Sequence, residues 1–275
     1  MRVSVIISVF NEEKYIVNCL QSLTKQTFKD FEIIVVDDGS TDKTKAKIRS
    51  LRLDNLSYLY QQHQGPAKAR NLAGQKARGE VLVFVDADMY FDKNFLRDLL
   101  EPIFKGKARG TYSLKEYVAN WDNLWARCWN YNWNLPDKKR INPQSADQAK
   151  DFRAILKKDF LKVNGFDPTG YTDSWTLFKK LGFRPWPTKA YYYHYNPASL
   201  KEVFKQAKWV AKRDYKFGFL GKLIAFFRAS PLVSLIIGLK KAAVYQQPFF
   251  LIFKLVYDFA YNIGLLKMVI KKDLY

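Results

Sequence analysis

Cysteine and histidine are scarce in this sequence of 275 residues, which contains two of each. The two cysteines, Cys19 and Cys128, provide neither a disulfide framework nor the paired spacing of a cysteine metal site. Small secreted domains held together by several disulfides are therefore excluded, and we expect a protein of a reducing compartment.

Long apolar runs are also lacking. The apolar stretch at the start is short and is followed at once by Asn11-Glu12-Glu13, which is not the pattern of a signal peptide. Farther along, Arg228 and Pro231 interrupt one apolar region, and Lys254 and Asp258 interrupt another. Because a membrane-spanning helix needs about 20 mostly apolar residues, we predict no clean span in these regions. The sequence shows no internal repeat and no low-complexity linker.

Acidic residues are outnumbered, with 26 Asp and Glu against 46 Lys and Arg, which gives a net charge of +20. Residues 1–100 hold 15 basic and 13 acidic residues, so residues 101–275 hold 46 − 15 = 31 basic and 26 − 13 = 13 acidic ones. Such a basic half predicts an anionic partner, which could be nucleic acid, an acidic lipid surface or a phosphorylated substrate. The alternative is a Lys-rich surface that only confers solubility. With 48% hydrophobic residues, the chain can bury a sizeable core.

Short runs rich in Val and Ile predict four strands, over residues 3–10, 31–36, 57–60 and 81–85. Segments with helical spacing of apolar residues follow these strands. In the first of them, Ile16, Leu20 and Leu23 share one helix face and Asn11 is the candidate N-cap. Such alternation of strand and helix predicts a parallel sheet with right-handed crossovers.

Polar clusters follow three of these strands, at Asn11-Glu12, Asp37-Asp38 and Asp86-Ala87-Asp88. The carboxyl ends of parallel strands meet at one edge of a sheet, where ligands bind, so we expect the clusters to form one site. Side chains two residues apart in an extended chain point the same way. Asp86 and Asp88 could therefore hold a hard divalent cation, with water or phosphate oxygens completing its shell. An ordinary polar turn is the alternative for this motif taken alone.

Four ordered motifs resemble a known family. They are Ser8-Val9-Phe10-Asn11-Glu12-Glu13-Lys14-Tyr15-Ile16, Val35-Val36-Asp37-Asp38-Gly39-Ser40-Thr41-Asp42, Gly65-Pro66-Ala67-Lys68-Ala69-Arg70-Asn71-Leu72-Ala73-Gly74 and Asp86-Ala87-Asp88. Together they resemble the inverting family 2 glycosyltransferases of GT-A fold. Weaker matches follow within residues 163–173 and 194–200, so the resemblance extends over residues 1–210 with decreasing strength.

The resemblance implies an α/β fold, in which a mostly parallel, Rossmann-like sheet is flanked by helices and a C-terminal helical, membrane-associated extension follows. Residues 1–200 would form the GT-A catalytic domain, with a nucleotide-sugar-binding half over 1–105 and an acceptor half over 106–200. Residues 201–275 would form the basic and apolar helical extension.

The same resemblance implies roles for individual residues. A divalent cation, Mn²⁺ or Mg²⁺, would be held by Asp86, Asp88 and His194, with Asp88 the direct ligand and Asp86 reaching either the metal or the ribose. His194 has an alternative role in packing within the aromatic run of residues 191–195. The nucleotide-sugar would be bound by residues that follow the first, second and fourth strands and by one residue of the third motif. These residues are Phe10, Asn11, Glu12, Asp37, Asp38, Asp86 and Arg70.

Inversion requires a base that takes the proton of the attacking acceptor hydroxyl. The resemblance implies that Asp173 is this base. The sequence departs from the family here, because Thr172 stands where the family usually has Glu and Trp175 replaces a later acidic residue. Asp167 is the second candidate, and its alternative role is a turn before Pro168.

Two features lie outside the resemblance. Tryptophans recur every four residues at Trp121, Trp125, Trp129 and Trp133. On a helix they form a slanting stripe, and packing against the sheet domain is favoured over a membrane-interface or acceptor-binding face. Residues 201–275 hold 14 basic and 4 acidic residues among many Phe, Leu and Ile. This composition fits helices that lie in the interface of an anionic membrane leaflet, and a soluble helical pair that caps the catalytic domain is the alternative.

The sequence therefore predicts a metal-dependent, inverting glycosyltransferase that adds one sugar from a UDP- or GDP-sugar to a lipid-linked or glycan acceptor. We expect a peripheral or monotopic protein at the cytoplasmic face of the cell membrane. Single transfer is favoured because Gln206-Ala207-Lys208-Trp209 does not match the Gln-x-x-Arg-Trp motif of processive relatives. A basic nucleic-acid-binding protein is one alternative, although nucleic acid is not the expected partner because no motif for it is present. A family member that has lost activity is another, which Thr172 leaves open.

Overall fold

The computed structural model of the chain describes residues 2–142 and 151–271. These residues form one eight-stranded sheet and eleven α-helices. The strands are β1 (Val3–Val9), β2 (Phe31–Asp37), β3 (Leu56–Tyr60), β4 (Val81–Asp86), β5 (Met89–Phe91), β6 (Gly110–Val118), β7 (Ala154–Leu156) and β8 (Trp186–His194). The helices are α1 (Ile16–Thr24), α2 (Thr44–Ser50), α3 (Pro66–Lys76), α4 (Phe95–Phe104), α5 (Leu124–Asn132), α6 (Lys157–Lys162), α7 (Trp175–Leu181), α8 (Leu200–Ala211), α9 (Gly218–Arg228), α10 (Pro231–Val244) and α11 (Phe250–Lys271).

The four strands that the apolar runs predict are present and parallel, in the order β3-β2-β1-β4. Alternate residues of these strands enter separate cores on the two faces of the sheet. Val5 and Val83 lie in one core, whereas Ile6 and Phe84 lie in the other. This period of two explains why the strands read as unbroken apolar runs, since both faces are covered.

The rest of the sheet is antiparallel where its pairs are defined. Strand β7 pairs antiparallel with β4 and β6, and β5 pairs antiparallel with β8. The full order is β3-β2-β1-β4-β7-β6-β8-β5, a mixed sheet with a parallel half. These later strands are not among the four that the sequence predicts.

The predicted polar clusters lie at one edge of the sheet. The register pairs Val9 with Asp37 and Ser8 with Asp86, so β1, β2 and β4 end side by side. Asn11, however, does not cap α1, which begins at Ile16 with Tyr15 in the N-cap position. Asn11 has a positive φ of 59°, a conformation that asparagine tolerates better than most residues. The chain therefore turns at Asn11 before the helix begins.

Strand β4 ends at Asp86, and Ala87-Asp88 form a turn before β5. The prediction that Asp86 and Asp88 share one side of an extended chain is therefore wrong. A turn instead allows the two carboxylates to meet different partners.

The chain divides into two compact units. Unit 1 contains most of the sheet, together with α1–α4, α6 and α7, and it ends at His194. Unit 2 comprises Val118–Arg140, Thr169–Thr172 and the chain from Tyr195 onward. The predicted boundary at residue 200 thus lies near the end of unit 1, and α5 joins the C-terminal helices in unit 2.

The tryptophan stripe belongs to the core of unit 2. Trp129 makes edge contacts with Phe253 and Tyr257, at ring-centroid distances of 6.5 and 5.5 Å. Trp125 meets Phe249 in the same way at 6.4 Å. Trp125 and Trp129 therefore pack against α11 and the segment before it, whereas Trp121 and Trp133 lie just outside α5. All four tryptophans belong to or pack against this core of unit 2, which is not the sheet domain that the sequence predicted.

Candidate active site

The loops after β1 and β2 are joined by hydrogen bonds. The Asn11 backbone N–H donates to Ser40 Oγ at 2.9 Å, and Asn11 Oδ1 accepts from the Thr41 backbone N–H at 2.8 Å. The Glu12 backbone N–H donates to Thr44 Oγ1 at 2.8 Å. Asn11 and Glu12 thus lie at the sheet edge as predicted, where the backbone of one loop is fixed by the other.

Asp37 is almost fully buried, and its carboxylate is bound within the protein. One oxygen accepts from the Tyr58 hydroxyl at 2.6 Å and the other from the Ser40 backbone N–H at 2.8 Å. Burial is the largest cause that raises the pKa of the Tyr58 hydroxyl, and the hydrogen bond to Asp37 is the next. The hydroxyl therefore stays protonated. Asp37 therefore shapes the loop after β2.

Asp38 is equally buried and organises the segment that leads into α3. Its two oxygens accept from the backbone N–H groups of Gln64 and Gly65, both at 2.9 Å. His63 Nδ1 lies 2.7 Å from the same carboxylate. The His63 ring stacks on Phe10 at a centroid distance of 4.1 Å. Phe10 and Asp38 are thereby brought together by His63, a residue to which the sequence assigned no role.

Asp86 lies between two arginines. Asp86 Oδ1 is 2.8 Å from Arg70 and Oδ2 is 3.3 Å from Arg153. Burial raises the pKa of the Asp86 carboxyl. The positive charges of Arg153 and Arg70, and then that of His194, lower this pKa by a larger amount, so that its value is about 2. Asp86 is therefore ionised at neutral pH and holds two guanidinium groups at the end of β4.

Asp88 pairs with His194. Antiparallel pairing of β5 with β8 places His194 opposite Met89. His194 Nε2 lies 3.1 Å from Asp88 Oδ1, and its Nδ1 lies 2.7 Å from Glu116 Oε1. One ring nitrogen thus faces the Asp88 carboxylate at the sheet edge, while the other is fixed from β6.

Tyr192 connects the Asp86–Arg153 ion pair with the Asp88–His194 pair. Its hydroxyl donates to Glu116 Oε2 at 3.0 Å and accepts from Arg153 Nε at 3.1 Å. Burial keeps this hydroxyl protonated because it raises the pKa of Tyr192 well above the ordinary value. The result is a continuous chain of charged and polar contacts, here called the polar network, through Asp86, Arg153, Tyr192, Glu116, His194 and Asp88.

The predicted metal ligands are only partly assembled. Asp88 and His194 are in contact, whereas the Asp86 carboxylate is engaged by arginines. Across residues 2–142 and 151–271, no group of three or more His, Cys, Asp or Glu side chains is placed to hold a metal ion. The donor types fit a divalent cation all the same, because a carboxylate and an imidazole whose far nitrogen bonds a second carboxylate recur in metal sites. Water and phosphate oxygens would have to supply the other ligands.

Three acidic residues act on the buried thiol of Cys19. Cys19 lies beneath the site, with its Sγ 3.7 Å from the Asp86 carbonyl oxygen. Burial raises the pKa of the Cys19 thiol, and the charges of Asp88, Asp86 and Glu12 raise it further. The Cys19 thiol therefore stays protonated, and the carboxylates of Asp88, Asp86 and Glu12 are close enough to act on the same thiol.

Asn71 positions the segment that contains Asp167. Its side-chain amide donates to the Phe166 carbonyl at 2.8 Å and accepts from the Phe166 N–H at 2.9 Å. Gly165, with φ +66°, lies so close that a Cβ there would be 2.3 Å from Asn71 Oδ1. The glycine is needed both for its backbone conformation and for this close approach.

The two candidate bases are joined through Thr176. Its hydroxyl donates to the Asp173 carbonyl at 2.6 Å and accepts from the Asp167 N–H at 3.0 Å. Asp173 is buried, with 2% of its surface exposed. The Asp167 carboxylate is half exposed and pairs with Lys180 at 2.7 Å. The assignment of Asp173 as the base stays a prediction.

Arg153, Glu116 and Tyr192 are site residues that sequence reasoning missed. They lie on or next to β7, β6 and β8, the strands that the sequence left unassigned. The only local signal is a charged residue within an apolar strand pattern, as for Arg153 beside Phe152 and Ala154. That signal names no partner, since Glu116 and His194 are 78 residues apart in the chain.

The depressed pKa of Asp86 predicts a specific acid sensitivity. Because its folded-state pKa lies below the ordinary 3.8, the carboxylate stabilises the fold above about pH 4, and this contribution is lost as the pH falls toward 2. In urea unfolding, we expect the difference in unfolding free energy between wild type and Asp86→Asn to shrink by about 2 kcal/mol from pH 6 to pH 2. Arg153→Met should move this loss to higher pH. A difference that is independent of pH would contradict the charge assignment.

Comparisons with known proteins agree with the motifs. The family model described as "Glycosyl transferase family 2" matches residues 4–163, which is more than half of the chain. A Staphylococcus aureus poly(ribitol-phosphate) beta-N-acetylglucosaminyltransferase, TarS, is 44% identical over 103 residues, covering 36% of this chain and 18% of that protein. The putative glycosyltransferase EpsH of Bacillus subtilis is 36% identical over 100 residues, covering 36% of this chain and 29% of EpsH. The chain thus matches less than a third of the length of these relatives.

Solved structures show the same fold over almost the whole chain. The crystal structure of S. aureus TarS 1–349 in complex with UDP-GlcNAc has a TM-score of 0.57 at 22% identity, covering 98% of this chain and 92% of that one. The mannosyltransferase PcManGT from Pyrobaculum calidifontis, in complex with GDP-Man and Mn²⁺, has a TM-score of 0.61 at 18% identity, covering 99% and 88%. With the four sequence motifs and the matched family model, this likeness identifies the chain as a member of glycosyl transferase family 2 with the GT-A fold.

Proposed function

We propose that the chain transfers a single sugar from a nucleotide-sugar to a lipid-linked or glycan acceptor, with inversion and with the help of Mn²⁺ or Mg²⁺. The observation that carries the proposal is the Asp88–His194 pair at the end of β4, held from behind by Glu116. Family membership supports sugar transfer as the reaction. Solved relatives of the same fold are in complex with UDP-GlcNAc or with GDP-Man and Mn²⁺, which supports a UDP- or GDP-sugar as the donor.

Charge compensation is the task of the β4 end in this mechanism. A nucleotide-sugar leaves behind a diphosphate, and a divalent cation would compensate the charge that develops on it. Asp88 and His194 Nε2 are the residues that would hold the cation. Glu116 accepts a hydrogen bond at His194 Nδ1, which leaves Nε2 as the nitrogen that can bind a metal. Arg70 and Arg153, both fixed by Asp86, would present positive charge to the same diphosphate.

Proton removal is the second task. The acceptor hydroxyl attacks the anomeric carbon from the face opposite the leaving group and loses its proton to a carboxylate. Asp173 is the proposed carboxylate, and Asp167 lies on the same Thr176-linked segment.

The acceptor is proposed to be reached at the cytoplasmic face of the cell membrane. The basic and apolar composition of residues 201–275 supports this location, since this segment contains 14 basic residues and only 4 acidic ones. A lipid-linked acceptor would be presented at such a surface.

A donor screen tests the proposal. In a thermal-shift assay with UDP- and GDP-sugars, we expect one nucleotide class to raise Tm by about 5 °C at a hundredfold excess over Kd, and only when Mn²⁺ or Mg²⁺ is present. Asp88→Asn should abolish the metal-dependent part of the shift. A shift of equal size without metal would contradict metal dependence, and no shift with any nucleotide-sugar would contradict the proposed function.

The support of His194 by Glu116 can be measured without activity. Glu116→Gln keeps the shape of the side chain but removes the charge that orients the imidazole, so we expect Mn²⁺ to bind about 10- to 100-fold more weakly. Mn²⁺ affinity is read from the electron paramagnetic resonance signal of the free ion. Glu101→Gln, on the exposed side of α4, is the matched control and should bind Mn²⁺ as wild type does. Equal affinity of Glu116→Gln and the control would remove Glu116 from the site.

The base is assigned by comparing two amide variants. Asp173→Asn is expected to lower kcat by about 100- to 10,000-fold with the donor KM unchanged, because the proton acceptor is lost while donor binding is kept. Asp167→Asn tests the second candidate in the same assay. Loss of turnover in Asp167→Asn with normal turnover in Asp173→Asn would reverse the assignment.

A further inference from the structure

Exposed apolar side chains are concentrated in one part of the chain. Among the described residues, 21 large apolar side chains are exposed, and all but Tyr60, Leu161 and Trp186 lie between Phe217 and Ile270. Eighteen such side chains in about 54 residues exceed the scattered apolar exposure of ordinary protein surfaces. This part of the chain therefore has a surface that calls for a partner.

Helices α9 and α10 each expose an apolar stripe. The stripe members are spaced i, i+3, i+4 and i+7, which places them on one side of each helix. On α9 they are Leu220, Leu223, Ile224 and Phe227, and on α10 they are Leu232, Leu235, Ile236 and Leu239. These eight side chains are here called the α9–α10 apolar face. No described residue of α9 is fully buried, so this helix in particular has its apolar side uncovered.

The inner side of α10 has the opposite composition. Its buried residues are Ser234 and Gly238. A Cβ on Gly238 would lie 2.8 Å from Leu251 Cδ1 and 3.3 Å from Leu251 Cα, so the glycine helps α10 and α11 to approach closely. Ser234 Oγ donates to Asp258 at 2.6 Å, and Asp258 pairs with Lys254 at 2.7 Å. A helix of a water-soluble core turns its large apolar residues inward, whereas small and hydrogen-bonding residues between helices with apolar residues outside are typical of helices in contact with lipid.

The charges around this face are of one sign. Between Lys216 and Pro248 there are five basic residues and no acidic one. Lys216, Arg228 and Lys240 are exposed, and they lie just before α9, at its end and near the end of α10. Basic side chains at helix ends can extend to lipid phosphates while the apolar stripe between them is in the acyl region.

Helices α9 and α10 are both short, and the chain bends between them. Among the described residues, no single helix is long and apolar enough to cross a membrane, but α9 and α10 together pass by length and composition, with a bend of 60° between them. At about 1.5 Å per residue, neither helix alone reaches the roughly 30 Å of a hydrocarbon core.

We propose that the α9–α10 apolar face binds the surface of an anionic lipid bilayer, with its apolar side chains inserted below the headgroups and its basic residues on lipid phosphates. Insertion supplies most of the affinity, and charge supplies the preference for anionic lipid. The proposal rests on the membrane location proposed above, but not on the transfer reaction. Vesicle binding and the donor screen can therefore fail separately.

Flotation of the full chain with vesicles tests the proposal. We expect binding to phosphatidylcholine–phosphatidylglycerol vesicles that persists at high salt, and weaker binding to phosphatidylcholine alone. The triple variant Phe227→Gln, Leu232→Gln, Ile236→Gln should weaken binding about 100-fold or more, because three inserted side chains lose their apolar contact. The matched control, Tyr60→Gln, Leu161→Gln, Trp186→Gln, removes the three exposed apolar side chains elsewhere and should bind as wild type does.

A charge variant separates the two contributions. Lys216→Gln, Arg228→Gln, Lys240→Gln should reduce the preference for the anionic vesicles and leave binding to phosphatidylcholine vesicles unchanged, because it removes three of the five basic residues of this part of the chain and keeps insertion. Circular dichroism and Tm establish that each variant is folded. Absence of vesicle binding by wild type, or equal loss in the matched control, would overturn the proposal. A wild-type dimer that the Phe227 triple variant dissociates, without vesicle binding, would assign the face to a second copy of the chain and would also overturn it.

Discussion

Compensation of closely spaced negative charge is the constraint on which the site depends. Asp86 ends β4, Asp88 lies in the turn that follows, and the buried Glu116 lies on β6 behind His194. A carboxylate that is removed from water, in part or in full, is tolerated when it is paired or hydrogen-bonded. Each has a partner: Asp86 has Arg70 and Arg153, Asp88 has His194, and Glu116 has His194 and Tyr192. The two halves of the sheet are both required for this arrangement. The parallel half supplies the aspartates, and the antiparallel half supplies Glu116, Tyr192 and His194.

The two aspartates of Asp86-Ala87-Asp88 consequently differ in role. Asp86 ends a strand and is occupied by arginines, whereas Asp88 lies in the following turn and faces an imidazole. Asp37 and Asp38 differ from both. Asp37 accepts hydrogen bonds from the Ser40 backbone N–H and the Tyr58 hydroxyl of β3, and Asp38 accepts from backbone N–H groups of the segment that leads into α3. At one sheet edge, Asp86 thus binds two arginines and Asp88 is a candidate metal ligand. Asp37 and Asp38 instead fix the backbone of nearby loops. Their shared location follows from topology, but their roles follow from individual partners.

The sequence predicted the parallel half of the fold because its signals are local. A strand buried on both faces reads as an apolar run, as Val81–Asp86 does, and the helices between strands show their own periodicity. The positions of Asn11, Asp37 and Asp86 at one edge followed from that topology. The antiparallel half could not be predicted in this way, because β7 is only three residues long and β6 and β8 pair with distant segments. The partners of Asp86 and His194 lie on those strands, so Arg153 and Glu116 could not be found from spacing.

A double-mutant cycle on Arg153 and Glu116 measures whether Tyr192 couples the Asp86–Arg153 pair to the Asp88–His194 pair. Arg153→Met and Glu116→Gln remove groups that both bond the Tyr192 hydroxyl. Because the charges of Arg153 and Glu116 also act on each other directly, the same cycle in a Tyr192→Phe background measures the coupling that does not pass through Tyr192. The measurement is the unfolding free energy of both single variants, the double variant and wild type. We expect a coupling energy of about 0.5 kcal/mol or more, and a smaller one in the Tyr192→Phe background, because loss of either partner weakens the position of Tyr192 for the other. Additive effects within experimental error, or an equal coupling energy in the Tyr192→Phe background, would show that Tyr192 does not couple the two pairs.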